Sequence, residues 1–214
     1  MNYIVLKGDI INSRDSKNRD QIQQQLSSTL KEINKKYKDV IAAEFMITSG
    51  DGFQGLMKSA NHLFDIINEL EESIPIKLRF GIGVGTVSTS IDPKNSTIID
   101  GPCYHRADDM LNDIKAQEQQ NTAPRANIRI GSETEYDDVL NGLLSLRYVI
   151  KSSWTTRQTE VTRMYKQHNE NQYQTAEKLG VNQSTVSRAL KVTDYYSVKS
   201  AEAQIIRFIQ DVII

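Results

Sequence analysis

The sequence predicts an α+β protein, with a ferredoxin-like N-terminal domain followed by a small all-α domain built on a helix-turn-helix. Two observations carry this reading. Strand and helix patterns in the front of the chain follow the order strand, helix, strand pair, helix, strand, the rhythm of a split βαβ unit. Near the C-terminus, NQYQTAEKLGVNQSTVSRALK (residues 171–191) places Ala176, Gly180 and Val186 where two short helices crossing at a tight turn need a small, a flexible and an anchoring residue. The boundary is expected after residue 132, giving domains 1–132 and 133–214.

Strand-like runs rich in apolar and β-branched residues occur at 3–6, 43–47, 53–57, 76–87, 97–99 and 127–130. Between the first two, Ile22, Leu26, Leu30 and Ile33 make one helical stripe. Ser49-Gly50-Asp51-Gly52 closes the strand pair, and Asp51-Gly52 is a hairpin signal because glycine accepts positive φ. Leu63, Ile66, Ile67 and Leu70 mark a second helix, and a third is expected from Tyr104 to about Gln119, after the Gly101-Pro102 turn. Gly81, Gly83 and Gly85 alternate with Phe80, Ile82 and Val84 inside a strand pattern; without a following phosphate-binding helix they read as sites of close helix packing. The pattern is helical from Glu133, with Val139, Leu140, Leu143, Leu144 and Val149 as apolar positions. Ile205, Ile206, Ile209, Val212 and Ile213 share one face of the last segment, which packs either on the chain's own core or on a second copy.

Composition narrows the function classes. The 214 residues are 38% hydrophobic with net charge -1, and every apolar run is far shorter than the roughly 20 residues of a membrane span. The N-terminus enters a strand pattern without the features of a signal peptide, so a cytoplasmic protein is expected. Cys103 is the only cysteine, which excludes an internal disulfide and a multi-cysteine zinc site, and His62, His105 and His168 lack metal-helix spacing. Residues 151–193 carry net charge +4 and the rest -5, as expected of a nucleic-acid-binding module beside a different kind of domain.

Asp9 and Asp51 each follow a glycine at the end of a strand-like run, in LKGDIINSRD and MITSGDGFQG. If the two runs are neighbours in one sheet, the carboxylates share an edge. Magnesium or manganese bound through phosphates needs only one or two protein carboxylates, so Asp9, Asp51 and the carbonyl of Ile10 form a candidate Mg2+ or Mn2+ site. Gly8 and Gly50 would admit a phosphate close to the backbone, and Arg14, His105 and Arg106 are candidate cations toward it.

Residues 2–132 resemble the class III nucleotidyl cyclase domain. The resemblance rests on Asp9-Ile10 after the first strand, Gly50-Asp51 at the hairpin tip, RFGIGVG from Arg79 to Gly85, and GPCYHRADDML from Gly101 to Leu111. The whole chain is similar to the SatD family of bacterial proteins, which joins such a front half to a helix-turn-helix. The resemblance implies a cyclase- or palm-like ferredoxin fold with Asp9 and Asp51 as metal ligands. It also exposes departures: Ile47 and Ile98 stand where cyclases read the purine with polar groups, and His105 and Asp109 stand where they place an Asn and an Arg that stabilise the transition state. Isoleucine makes no hydrogen bond to a base edge, and an aspartate repels phosphate.

In the helix-turn-helix, Asn182 is expected to cap the second helix with its side chain. Gln183, Ser184, Thr185, Ser187 and Arg188 are expected on its exposed side as base or phosphate contacts, with Lys178 and Lys191 toward phosphate and Tyr173 and Gln174 near the backbone. The leading expectation is a DNA-binding transcriptional regulator, a homodimer on paired half-sites, whose front domain senses a nucleotide or phosphate ligand with a divalent metal. The alternative is an active cyclase or nucleotidyltransferase that the helix-turn-helix only localises.

Overall fold

The computed structural model of the protein describes residues 1–11, 19–48, 50–120 and 125–213, with Val212 and Ile213 described through their backbone alone. Strands β1 (Tyr3–Ile10), β2 (Ile41–Ile47), β3 (Phe53–Met57), β4 (Leu78–Gly85) and β5 (Ile128–Gly131) form one sheet in the order β2-β3-β1-β4-β5. β1 lies at the centre, antiparallel to β3 and β4; β2 is antiparallel to β3, and β5 is parallel to β4. With helices α1 (Arg19–Lys36) and α2 (Leu63–Ser73), the first four strands have the ferredoxin-like arrangement, and β5 widens it. Gly8 pairs with Phe53, so the hairpin tip lies at the C-terminal end of β1.

Alternation along β1 divides the core into two faces. Ile4, Leu6 and Ile10 join the stripes of α1 and α2, including Leu26, Ile33, Leu63 and Ile67, in one buried cluster. On the other face Val5 packs with Cys103, Tyr104 and Ala107 of α3 (Pro102–Glu118). The backbone of α3 rests directly on β4, because a Cβ on Gly81 would lie 2.1 Å from the Ala107 carbonyl oxygen and one on Gly83 1.9 Å from that of Cys103. Packing thus accounts for these two glycines, as their alternation predicts.

Three expectations change. Residues 97–99 are not a strand: Ser96–Ile98 is a 3-10 turn, held by Gln54 Nε2 donating to the Ser96 carbonyl at 2.6 Å and by the Asn95 side chain accepting from the Thr97 amide. At the hairpin it is Gly50, at φ 75°, that takes the left-handed conformation rather than Gly52, whose carbonyl accepts from the Thr48 amide. The boundary after residue 132 also moves. The chain forms two compact units, residues 1–145 with 205–214, and residues 146–204. Leu140 and Leu144 of α4 (Asp137–Ser152), with Ile205 and Ile209 near the C-terminus, are buried in the first unit's core and draw their segments into it. Of the two readings of the C-terminal apolar face, Ile205 and Ile209 therefore follow the one in which it packs on its own core.

In the second unit, α5 (Thr156–Gln167), α6 (Gln172–Leu179), α7 (Gln183–Val192) and the start of α8 (Tyr195–Phe208) enclose Val161, Tyr165, Ala176, Val186, Leu190 and Tyr195. α5 opens with a capping box in which the Thr155 side chain accepts from the Gln158 amide and the Gln158 side chain from the Thr155 amide. Among the described residues no helix is long and apolar enough to cross a membrane.

Candidate functional site

Asp9 stands opposite Arg79 in the β1–β4 ladder, on the face that α3 covers. Its two carboxylate oxygens meet two different cations. Arg79 Nη1 donates to Oδ1 at 3.2 Å, and Lys115 Nζ of α3 lies 2.6 Å from Oδ2. Arg79 also grips Glu118 through Nε at 3.0 Å and Nη2 at 2.5 Å. The hydrogen bond to Glu118, followed by that to Asp9, raises the guanidinium pKa against the opposing effect of burial. Two residues before Asp9, Lys7 pairs with Asp108 at 2.7 Å and lies 5.3 Å from the centre of the Tyr104 ring. Lys7, Arg79 and Lys115 therefore alternate with Asp108, Asp9 and Glu118, a charge-balanced strip between the sheet and α3.

Asp51 is half-buried and belongs to the other side of the sheet edge. It lines a shallow pocket with Gly50, Ile10 and the α1 residues Arg19, Ile22 and Gln23. Gln23 Nε2 reaches the Gly50 carbonyl at 3.4 Å. The Ile10 side chain is buried in the α1–α2 core, 4% exposed. Among the described residues no group of three or more His, Cys, Asp or Glu is placed to hold a metal ion. This donor set does not fit a divalent cation, because both Asp9 oxygens are committed to nitrogen cations and Asp51 borders a different space.

The remaining phosphate candidates are largely engaged. A Cβ on Gly8 would lie 2.2 Å from Phe53 Cζ, so this glycine makes room for an aromatic ring across the ladder. The Arg106 side chain, 18% exposed, donates to the Val84 carbonyl and pairs with Glu133. His105 is exposed, with Nε2 3.0 Å from Asp100 Oδ1. Gly50 has open space around it. Arg14 lies outside the described residues. Ile47 is half-buried and Ile98 60% exposed, and neither side chain can hydrogen-bond a purine; Asp109 is exposed and brings negative charge where a cyclase has its transition-state arginine. Sequence reasoning missed Lys115, Glu118 and Lys7; Lys115 and Glu118 belong to a charged stripe beside the apolar face of α3, and Lys7 is a lone charge inside the apolar run of β1.

The second candidate surface is α7. Asn171 caps α6, its side chain accepting from the amides of Tyr173 at 3.0 Å and Gln174 at 3.1 Å. Gly180, at φ 62°, ends α6 in the left-handed region that glycine enters without strain. Asn182 occupies the N-cap position of α7 but makes no side-chain cap bond, contrary to the sequence expectation. Gln183 Nε2 instead spans the two helices, donating to Gln172 Oε1 at 2.5 Å. Val186 and Leu190 are buried beneath α7, while Ser184, Thr185, Ser187, Arg188 and Lys191 are exposed on it, as is Lys178 on α6. Tyr173 is 75% exposed at the start of α6. Such a face offers hydroxyls, an amide and cations, the groups that meet base edges and phosphates.

No curated protein matches the chain. Among solved structures, a bacterial light-regulated adenylyl cyclase is 13% identical, covering 72% of this chain and 81% of its own, with a TM-score of 0.43. The non-canonical dimeric guanylyl cyclase domain of a RhoGC fusion protein from the aquatic fungus Blastocladiella emersonii is 18% identical over 52% of this chain and 73% of that one, with a TM-score of 0.39. A regulator of polyketide synthase expression from Bifidobacterium adolescentis is 14% identical over 99% and 82%, with a TM-score of 0.33. None of these likenesses is close enough to transfer a function. The SatD family model, by contrast, matches residues 3–204, spanning both the cyclase-like front and the helix-turn-helix, and the chain belongs to the SatD family.

Proposed function

We propose that this SatD-family protein is a DNA-binding transcriptional regulator, with α7 as its reading helix and the cyclase-like first unit as the receiver of a nucleotide or related phosphate-bearing ligand that it does not convert. The observation that carries the reading is the division of α7. Val186 and Leu190 anchor it in the core shared with α5, α6 and the start of α8, and the opposite face presents Ser184, Thr185, Ser187, Arg188 and Lys191 to solvent. Binding to paired half-sites calls for a homodimer. The ligand part of the reading rests on the resemblance of residues 2–132 to nucleotidyl cyclase domains, because the shallow hollow at the hairpin tip, lined by Ile10, Arg19, Ile22, Gln23, Leu26, Gly50 and Asp51, is small and mostly apolar. The alternative of an active cyclase finds no support at Ile47, Ile98 or Asp109. The expectation of Mg2+ or Mn2+ at Asp9 and Asp51 is not part of this reading, given the pairing of Asp9.

Fluorescence anisotropy with genomic fragments and the full chain tests it. The wild type should prefer some fragments over bulk DNA, and Gln183→Ala/Arg188→Ala should weaken that preference by tenfold or more, since one lost bidentate base contact is worth about 1–3 kcal/mol. Equal preference in the double variant would remove α7 as the reader. A melting screen with nucleoside triphosphates tests the ligand separately.

A further inference from the structure

The resemblance to nucleotidyl cyclases places a divalent cation at Asp9, and the geometry points to a different occupant. We propose that the protein's own cations, the Arg79 guanidinium and the Lys115 ammonium, stand at Asp9 in place of a metal. On this proposal the first unit receives its ligand without a divalent ion, and Asp9 is a positioning residue that locks α3 to the sheet. The inference concerns the first unit alone and does not depend on the DNA reading.

Three observations carry it. Each Asp9 oxygen already has a cationic partner, Arg79 Nη1 at 3.2 Å and Lys115 Nζ at 2.6 Å, and the Asp9 side chain is only 15% exposed. The partners are themselves held. Arg79, 13% exposed, is fixed on its other side by Glu118, and α3, which carries Lys115, is fixed against β4 by the bare backbones of Gly81 and Gly83. Finally, Asp51, the second ligand of a cyclase site, lines the pocket on the α1 side instead.

Charge decides the competition. A metal that took Asp9 would have to displace Lys115 and then sit beside a guanidinium that cannot lose its proton and is tied in place. Like charges at such short range disfavour each other strongly where water is largely excluded. Lys115 and Arg79 pay no such penalty, because Asp108, Asp9 and Glu118 balance Lys7, Arg79 and Lys115 along the strip.

The test is a titration of the full chain with MnCl2, alone and with ATP, with free Mn2+ read by electron paramagnetic resonance and stability read by thermal melting in parallel. The wild type should show no Mn2+ binding that depends on Asp9 or Asp51. Asp9→Asn should lower the melting temperature by about 4 °C or more. Asp9→Asn/Lys115→Met should lose less than the sum of the two single variants, because both changes break one contact. Any shift caused by ATP should persist in EDTA. Stoichiometric Mn2+ binding that Asp9→Asn or Asp51→Asn abolishes would overturn the proposal, as would an ATP shift that EDTA removes. Should Asp9→Asn fail to fold, Asp51→Asn carries the Mn2+ arm. Mn2+ binding unaffected by either variant places the ion elsewhere and upholds the proposal. Absence of any ATP shift counts against the nucleotide reading of the first unit, and the Mn2+ arm still decides this one.

Discussion

Gly83→Ala is the substitution whose consequence the structure specifies most tightly. The new Cβ would stand 1.9 Å from the Cys103 carbonyl oxygen and 2.6 Å from the Ala107 amide nitrogen, both backbone atoms of α3 that no rotamer change can move. Ordinary contact begins near 3.4 Å, so α3 must recede by roughly 1.5 Å. That displacement opens the cluster of Val5, Cys103, Tyr104 and Ala107 and stretches the Lys7–Asp108 and Asp9–Lys115 pairs. Overpacking of this kind costs about 3 kcal/mol, corresponding to a fall in Tm of roughly 6–12 °C for a unit of this size. Gly142→Ala is the control: it lies inside α4 with nothing within 4 Å of the added atom, so it should gain about 0.5–1 kcal/mol from helix propensity. Far-UV circular dichroism follows the whole chain. Fluorescence of the single tryptophan, Trp154, follows the second unit, where its indole donates to the Thr193 carbonyl at 2.9 Å. A Gly83→Ala protein that melts within about 1 °C of the wild type would refute the packing argument.

Three further outcomes follow from single contacts. Cys103 is fully buried, and burial pushes its thiol from 9.0 up to about 11, so the folded state favours the protonated form. Its contribution to stability is present below pH 9 and lost as the pH rises through 11. Melting between these values should therefore decline more steeply in the wild type than in Cys103→Ala, and equal slopes would contradict the assignment. Arg147, with its side chain 1% exposed, meets Glu202 at 2.7 Å. Arg147→Ala leaves that carboxylate unpaired and should cost about 3–5 kcal/mol, read by Trp154 fluorescence; a change below about 1 kcal/mol would contradict a buried ion pair. Lys178→Ala and Lys191→Ala should each reduce the slope of log binding constant against log salt by about 0.9 on duplex DNA, while a slope unchanged in both variants would remove them from the phosphate contacts.

Much of this molecule is local, and the local part was legible. The stripes at Ile22, Leu26, Leu30 and Ile33 and at Leu63, Ile66, Ile67 and Leu70 each became the buried side of a helix, because 3.6-residue spacing needs no knowledge of the partner. The spacing of Ala176, Gly180 and Val186 led to two packed helices for the same reason. What stayed hidden is set by register. Asp9 and Arg79 are 70 positions apart and meet only because Asp9 falls opposite Arg79 in the ladder. Lys115 reaches Asp9 only because two glycines let α3 settle onto β4. Neighbouring residues likewise override single-residue rules. Gly50 rather than Gly52 took the left-handed turn, and Gln172 rather than backbone capping engaged the start of α7. Thr97 and Ile98 look strand-like in composition, yet the Gln54–Ser96 bonds hold them in a tight turn.

A role in transcription requires that α7 read DNA. Selection of bound duplexes from a randomised library by the full chain, with Arg188→Ala as the paired variant, measures this directly. A reading helix at α7 should give a short enriched motif in the wild type and a loss of preference at particular base positions in the variant. A wild-type protein that enriches no motif, or a variant that enriches the same motif with the same base preferences, would contradict it.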